Sequence, residues 1–403
     1  MANFILSEDV KKSETNVAVV LGGACVNSLH IVRAINKNAP IIAINDQCDP
    51  GLYSKYVTAR IIDKHIWNES KFLKLMVSIG ESLHKKGVLF PTSDTQVLYI
   101  AKNYDILKKY YFIPINKNTV ISLLSKKSQY ELCEKLKIPY PKTFFIGKED
   151  DINILASVIK EFKYPIIIKP TTSNDEKNIF KVKKIENEEA LHAVLSKVKQ
   201  SKGEFLVSEL IPGEPDNIWT YIGYADFSSN LIAGWTAKKL TQRPYYFGVF
   251  STARYEKNTV VEKQGLALLH GGEYYGIFEP EFKFDNRDGQ YKLIEINPRY
   301  MMFHGLGVKG GINLPLIQYY HCIGDDEKLK SIQKIQNDNV AHIVFMHHEL
   351  MNLYDHHPKI KFLKNVILAI FRKNKIWGIY CSDDLVPFFI FIKSLFLRIF
   401  FNK

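Results

Sequence analysis

The sequence predicts a mixed fold, in which an α/β domain with a doubly wound parallel sheet is followed by an α+β domain and a helical C-terminal extension. The first part alternates apolar, strand-like runs with a helical pattern, which is typical of a parallel sheet. The middle contains a β-hairpin whose polar residues share one face, and the end becomes aromatic and basic. We place the domains at residues 1–120, 121–325 and 326–403.

The composition narrows the class of protein. With 403 residues and 46% hydrophobic content, the chain can form two or three domains. The net charge of +12 is scattered along the chain, and no nucleic-acid-binding motif accompanies it, so we expect no nucleic-acid partner. Five widely spaced cysteines without a C-x-x-C pair predict reduced thiols and a cytoplasmic protein. The first 16 residues lack the long apolar run of a signal peptide.

The first domain starts with a β-α-β pattern. Residues 17–23 predict a buried strand that enters a glycine turn, residues 28–35 a helix, and residues 40–44 a second strand. The pair Gly22-Gly23 lacks the G-x-G-x-x-G spacing of a dinucleotide site, so a simple tight turn is favoured.

A third strand at residues 87–90 leads into Thr92-Ser93-Asp94 and then a helical run. Ser93 or Asp94 is predicted to cap that helix, and a role in substrate binding stays open.

The second domain carries a lysine at the end of an apolar strand. Residues 164–168 are largely apolar and Lys169 follows them. A lysine is seldom buried without an anionic partner, because its desolvation is costly. A phosphate group would provide that partner.

The hairpin is the most informative segment. Two strands, at residues 277–284 and 293–297, are joined through Asp-Gly, a strong turn signal. Side chains alternate along a strand, so Glu295 and Asn297 share a face, and pairing centred near residue 288 would set Glu281 opposite Glu295. Facing carboxylates are destabilising unless something neutralises them. Their oxygens and the amide suit magnesium, although a solvated hairpin face is the alternative.

These residues resemble the ATP-grasp superfamily, specifically its carboxylate-amine ligases, over roughly residues 90–320. The resemblance implies an ATP-grasp fold with an N-terminal preATP-grasp domain and a lid at about residues 145–220. It implies ATP and two magnesium ions, for which manganese could substitute. The implied metal ligands are Glu281, Glu295 and Asn297.

The resemblance also assigns nucleotide contacts. Lys127, with Lys126 as the alternative, would touch the α-phosphate, Lys169 the α- and β-phosphates, and Lys239 the γ-phosphate. The remaining implied contacts are Glu209, Leu210 and Ile211 at the adenine, and Asp216 at the ribose with Glu214 as its substitute. The flap at 171–178 has no glycine, so phosphate contacts there would fall to Thr172, Ser173 and Asn174.

Two arginines complete the expected site. Arg299 would reach a phosphate or the acyl phosphate formed from it. Arg243 would meet a carboxylate substrate or the transferred phosphoryl group, although a salt-bridged surface arginine is equally compatible with the sequence.

The resemblance implies an ADP-forming ligase that activates a carboxylate as an acyl phosphate and joins it to an amine. ATP-grasp proteins similar to this chain, including the D-aspartate ligases, often act on cell-envelope precursors. We therefore expect an amino acid to be joined to an envelope saccharide or precursor, one that could be lipid-linked. The alternative is a non-catalytic, membrane-associated ATP-binding protein with the same fold.

The tail at residues 385–401 is highly apolar but short, and Lys393 and Arg398 interrupt it, so a membrane-spanning helix is not expected. A helix lying on the inner face of the membrane is favoured over a helix docked on the protein core.

Overall fold

The computed structural model describes residues 6–22, 26–147, 161–172, 178–201, 203–333 and 340–401. Within them the chain forms three β-sheets. The first is the predicted parallel sheet, with the strand order β3-β2-β1-β4-β5. Its strands are β1 (Ala18–Leu21), β2 (Ile41–Asn45), β3 (Ala59–Ile62), β4 (Gly87–Phe90) and β5 (Tyr111–Phe112).

Helices cover this sheet because its central strands are apolar on both faces. They are α1 (Glu8–Lys11), α2 (Asn27–Ile35), α3 (Glu69–Ser82), α4 (Asp94–Lys102) and α5 (Tyr104–Leu107). Ser93 caps α4 in a reciprocal capping box with Gln96, as the sequence predicts. The strand order reverses between β1 and β4, and crevices at such switch points commonly bind ligands.

The second sheet is antiparallel and occupies the predicted lid. Its order is β6-β9-β7-β8, with strands β6 (Thr143–Ile146), β7 (Ile166–Pro170), β8 (Lys183–Ile185) and β9 (Phe205–Glu209). Two helices precede it, α6 (Val120–Leu123) and α7 (Lys126–Leu136), and α8 (Glu188–Ser201) packs on it. Ser173 and Asn174 of the expected flap lie outside the described residues.

The third sheet has the order β14-β13-β10-β11-β12-β15-β16. The strands from the middle of the chain are β10 (Ile218–Ala225), β11 (Leu231–Arg243), β12 (Val249–Tyr255), β13 (Gly276–Asp285) and β14 (Gln290–Asn297). The accompanying helices are α9 (Thr259–Gly271), α10 (His304–Lys309), α11 (Leu314–Ile323) and α12 (Asp326–Gln333). Gly289 has φ +70° at the hairpin turn between β13 and β14, a conformation that favours glycine.

The C-terminal extension completes the third sheet. Its strands β15 (Ala341–Val344) and β16 (Lys375–Trp377) follow β12 in the sheet order, and α13 (Met346–Asp355) and α14 (Lys359–Phe371) connect them. Buried Glu349 of α13 accepts hydrogen bonds from the Thr241 and Thr252 hydroxyls. The extension is therefore anchored in the sheet that carries the predicted catalytic residues.

The last helix, α15 (Val386–Phe401), is apolar on more than one face. Phe388 and Phe391 pack against a core shared by the first and third sheets. Phe389 and Ile392 point outward and are 62% and 43% exposed. In the described part of the chain, no helix is both long and apolar enough to cross a bilayer. One face of α15 therefore docks on the protein, while another presents apolar side chains to the solvent.

Candidate active site

A cavity of about 1030 Å³ lies where the three sheets meet. The hairpin β13–β14 forms one wall, the lid sheet another, and the ends of β4 and α2 a third. Most of the predicted site residues line it: Lys169, Glu209, Leu210, Ile211, Glu214, Lys239, Glu281, Glu295, Asn297 and Arg299. Lys127, Asp216 and Arg243 do not.

The hairpin register sets Glu281 opposite Glu295, as predicted, and Asn297 two positions further along the same strand. Glu281 is buried and Glu295 is partly exposed toward the cavity. Asn297 donates to Glu295 at 3.4 Å, so the carboxylate and the amide are neighbours. In the described chain, no group of three or more His, Cys, Asp or Glu side chains is placed to hold a metal. Two carboxylates and an amide oxygen fit magnesium, which completes its shell with waters and substrate phosphates.

Cations surround these carboxylates. Lys239 forms a buried ion pair with Glu281, and the Lys126 ammonium lies 3.9 Å from Glu295. Burial alone would raise the pKa of Glu295, but Lys126, Lys169 and nearby cations hold it below its ordinary value. Burial also raises the pKa of Glu281, and Lys239 opposes that shift. The cations Lys126, Lys169 and Lys239 outnumber the carboxylates Glu281 and Glu295, so this end of the cavity suits a polyanion such as a triphosphate.

Lys169 lies at the end of β7 and is buried, as expected. Its ammonium donates to the Tyr130 hydroxyl at 3.3 Å. Burial lowers the pKa of Lys169 to about 8, and Glu295 counteracts part of this shift. A phosphate bound next to Lys169 would stabilise the charged form of the lysine, which burial disfavours.

The expectation for Lys127 is corrected to Lys126. Lys126 lies on the buried face of α7 together with Gln129, Tyr130 and Cys133, and it lines the cavity. Lys127 is rotated away by about 100°, the turn per residue of an α-helix, and is exposed. The spacing i, i+3, i+4, i+7 was the available sequence signal for this assignment.

Replacing Lys126 with alanine is expected to weaken ATP binding by about ten- to a hundredfold, because a charge-assisted hydrogen bond contributes roughly 1.5–3 kcal/mol. The matched variant Lys127→Ala should change the dissociation constant by less than about twofold, because surface substitutions of this kind have small effects. Calorimetric titration with ATP and magnesium measures both. Equal losses in the two variants would contradict the placement of Lys126.

The hinge residues divide into two groups. All three hinge residues, Glu209, Leu210 and Ile211, line the cavity, but the Glu209 carboxylate also accepts from Arg287 at 2.7 Å and lies 3.3 Å from the Lys292 ammonium. The Glu209 side chain is thus committed to an ion-pair network under the hinge. Lys283, which the sequence did not single out, donates to the Ile211 carbonyl at 2.8 Å and fixes the hinge backbone.

The two acidic candidates for the ribose also differ. Both side chains are exposed, but only Glu214 lines the cavity, so the geometry favours the substitute, Glu214, over Asp216. The Glu214 carboxylate accepts a hydrogen bond from Tyr245 and pairs with Lys361 at 3.0 Å.

Arg243 is not placed to meet a substrate, which corrects the first of its two interpretations. Its guanidinium pairs with Asp355 at 2.7 Å and donates to Asn352 at 3.4 Å, both on α13. The salt-bridged alternative describes it better.

Arg299 does face the cavity, where it pairs with Asp94 and donates to Asn297 at 3.0 Å. The loop that carries it is fixed by buried Glu279, which accepts from the Met301 backbone at 3.1 Å and contacts His304 at 2.7 Å.

Comparison with known proteins gives one similar sequence and several similar folds. No protein-family model matches the chain. The D-aspartate ligase of Enterococcus faecium is 27% identical over 315 residues, which cover 73% of this chain and 74% of that protein.

Solved structures share the fold at lower identity. The L-amino acid ligase of Bacillus licheniformis has a TM-score of 0.59 at 13% identity, covering 81% of this chain and 79% of that one. N5-carboxyaminoimidazole synthetase of Staphylococcus aureus, solved with ADP, has a TM-score of 0.59 at 14% identity and covers 85% and 86%. The biotin carboxylase domain of Hydrogenobacter thermophilus 2-oxoglutarate carboxylase, solved with MgADP, ADP and bicarbonate, has a TM-score of 0.60 at 15% identity and covers 81% and 73%. The predicted fold is confirmed, and the bound nucleotides agree with the expectation of ATP and magnesium. The chain therefore has an ATP-grasp-like fold, and its sequence is similar to that of a D-aspartate ligase.

Proposed function

We propose that the protein is an ATP-dependent carboxylate-amine ligase that forms a C–N bond and releases ADP and phosphate. The observation that carries the proposal is the facing pair Glu281 and Glu295, with Asn297 beside it, in a cavity wall lined by cations. A relative with 27% identity is named D-aspartate ligase, which agrees with this proposal.

The side chains have distinct roles in this proposal. Glu281, Glu295 and Asn297 hold magnesium, which neutralises phosphate charge when it is bound. Lys126, Lys169 and Lys239 bind the phosphates and place the γ-phosphorus near Arg299. Such positioning and charge neutralisation account for most of the catalysis of phosphoryl transfer.

The proposed reaction needs no nucleophilic side chain from the protein. A substrate carboxylate oxygen bonds to the γ-phosphorus as the bond to ADP breaks, which gives an acyl phosphate. The amine nitrogen then bonds to the carbonyl carbon, phosphate leaves, and the amine gives up a proton. The lid sheet excludes water, because hydrolysis would destroy the acyl phosphate.

Purified protein incubated with ATP, magnesium and pairs of amino acids, sugar acids and envelope precursors tests the function. We expect ADP release that depends on both a carboxylate and an amine, with an amide product of matching mass. ATP binding without turnover under any pairing would favour the non-catalytic alternative instead.

ATP affinity is expected to fall as pH rises above about 8, because Lys169 loses its charge there in the free protein. Phosphate binding favours the charged form, so ATP binding near pH 8.5 should be accompanied by proton uptake. Calorimetry in buffers of different ionisation enthalpy measures that uptake. Lys169→Arg keeps a charged group at this pH and should lose the uptake. Identical proton uptake in both proteins would rule out Lys169 as its source.

The substrate class is proposed from the relatives. D-aspartate ligase and L-amino acid ligase are both named for amino acids. An amino acid is thus the proposed small substrate, and an envelope saccharide or precursor the proposed second one.

We also propose that α15 lies against an anionic membrane surface. Phe389 and Ile392 expose apolar side chains, and Ile360 and Phe371 of α14 are 72% and 77% exposed. Exposed apolar groups of this extent commonly mark an interaction surface. Beyond Pro358 the only acidic residues are Asp383 and Asp384, which pair with Lys55 and Arg33. The many lysines and arginines of this region therefore favour anionic lipid.

Flotation with vesicles containing phosphatidylglycerol tests this surface. The wild-type protein should float at low salt, and the double variant Phe389→Glu/Ile392→Glu should lose at least about tenfold of that binding, since charged groups disfavour interfacial insertion. Ile106→Glu, at a comparably exposed apolar position in α5, is the matched control. Unchanged flotation of a folded double variant would leave α15 as a docked helix only.

A further inference from the structure

An ion pair lies in the wall of the cavity. Asp94 and Arg299 form it, and each side chain is 15% exposed. Both line the cavity. Asp94 follows the carboxyl end of β4, next to the switch point between β1 and β4. The pair thus occupies the part of the fold where open parallel sheets bind ligands.

Arg299 links this pair to the metal site. Its guanidinium donates to the Asn297 amide oxygen at 3.0 Å and pairs on another edge with Asp94. A carboxylate bound by Arg299 would therefore lie beside Asn297, one of the proposed metal-binding residues. Asp94 would then face the part of the bound molecule that lies away from its carboxylate.

A polar atom without a partner lies nearby. Asn27 is 7% exposed and lines the cavity, and its amide nitrogen donates to the Thr92 and Tyr300 carbonyls at 3.4 and 3.2 Å. In the described residues its amide oxygen accepts no hydrogen bond. Buried acceptors are normally satisfied, so this oxygen points to a ligand donor.

Charge decides which substrate fits. A simple carboxylate that displaced Asp94 from Arg299 would leave the Asp94 carboxylate unpaired. The two negative charges would then lie close together. A simple amine that displaced Arg299 would leave that cation unpaired, and leaving one partner of a buried ion pair without its counter-charge is strongly unfavourable. A zwitterion inserted head to tail pairs both groups, with its carboxylate on Arg299 and its ammonium on Asp94.

We propose that this site selects an α-amino acid as the carboxylate donor, with Asp94 as the specificity-determining residue that receives its ammonium group. The Asn27 oxygen accepts a second ammonium hydrogen. The inference rests on the proposed ligase function and deepens it, because it assigns the amino acid to the activated side of the bond. The attacking amine then belongs to the second substrate.

Binding is tested with magnesium and a non-hydrolysable ATP analogue present. L- and D-amino acids are titrated calorimetrically, each against the acid that lacks its amino group, such as aspartate against succinate. We expect at least one amino acid to bind about a hundredfold more tightly than its deaminated acid. Asp94→Asn should reduce that preference at least tenfold, and Asp94→Glu, which keeps the carboxylate, should restore part of it. Asp105→Asn, an exposed aspartate paired with Lys108 and Lys117, should keep it in full.

Two results would overturn the inference: no preference for the amino group in the wild type, or equal losses of both ligands in Asp94→Asn. The second would show that Asp94 only positions Arg299. ADP release distinguishes a failure of the proposed ligase function from a failure of the proposed role of Asp94. An amino acid that binds through Asp94 without any turnover sinks the ligase function alone, whereas turnover with an unchanged preference in Asp94→Asn sinks this inference alone.

Discussion

Glu295→Gln is expected to lower ADP release by about 10² to 10³-fold or more, because electrostatic groups that stabilise the transition state contribute on this scale. The substitution keeps the size of the side chain and the neighbouring Asn297 contact but removes the charge that a magnesium ion needs. Initial rates over a range of magnesium concentrations measure the effect. If the metal role is correct, a large excess of magnesium should recover part of the activity.

The control is Glu186→Gln, which neutralises an exposed carboxylate paired with Lys184 in the lid region. It should retain wild-type rates. Full turnover in Glu295→Gln at low magnesium would refute the metal role while leaving the ATP-grasp fold intact.

Lys239→Met should lower both activity and stability. Lys239 and Glu281 are only 9% and 10% exposed, so the variant leaves a buried carboxylate without its cation. Breaking such a pair costs about 3–5 kcal/mol in the free energy of unfolding. ADP release should fall as well, because the γ-phosphate loses a cationic contact. Thermal unfolding and turnover assays measure the two effects separately.

The double variant Lys239→Met/Glu281→Gln distinguishes the two effects. It contains no unpaired buried charge, so its unfolding midpoint should return toward the wild-type value while its activity stays low. Magnesium alone should stabilise Lys239→Met more than the wild type, since the metal supplies the missing positive charge. A double variant as unstable as Lys239→Met would show that the loss comes from packing instead.

The hairpin of β13 and β14 shows how much of the structure could be predicted from the sequence. The facing of Glu281 and Glu295 was predicted by centring the turn near Asp288. In the structure the turn is one position tighter, because Asp285 pairs with Gln290, and a bulge at Ile294 restores the predicted pair. The Ile294 carbonyl accepts from the Tyr130 hydroxyl, a contact between distant parts of the chain. Alternation fixes which side chains share a face, but no local pattern announces such a bulge.

The wrong assignments have a similar cause. Lys126 and Lys127 are adjacent, and only the phase of α7 decides which one meets the cavity. Arg243 was assigned from the family resemblance, yet α13, which comes more than a hundred residues later, supplies its partners. Short-range pattern therefore predicted strands, a helix cap and the face that Glu281 and Glu295 share. Short-range pattern could not predict contacts with residues of the C-terminal extension, such as those of Arg243 with Asp355 and Asn352.

The anchoring of Glu349 in the third sheet also limits modular engineering. Residues 340–377 supply two strands of that sheet and the carboxylate that ties β11 to β12, next to Lys239. A chimera that exchanged this segment for the equivalent part of a related protein would therefore alter the packing of β11, the strand that carries Lys239. To transfer the proposed site between related proteins, the core and its C-terminal strands would have to be moved together.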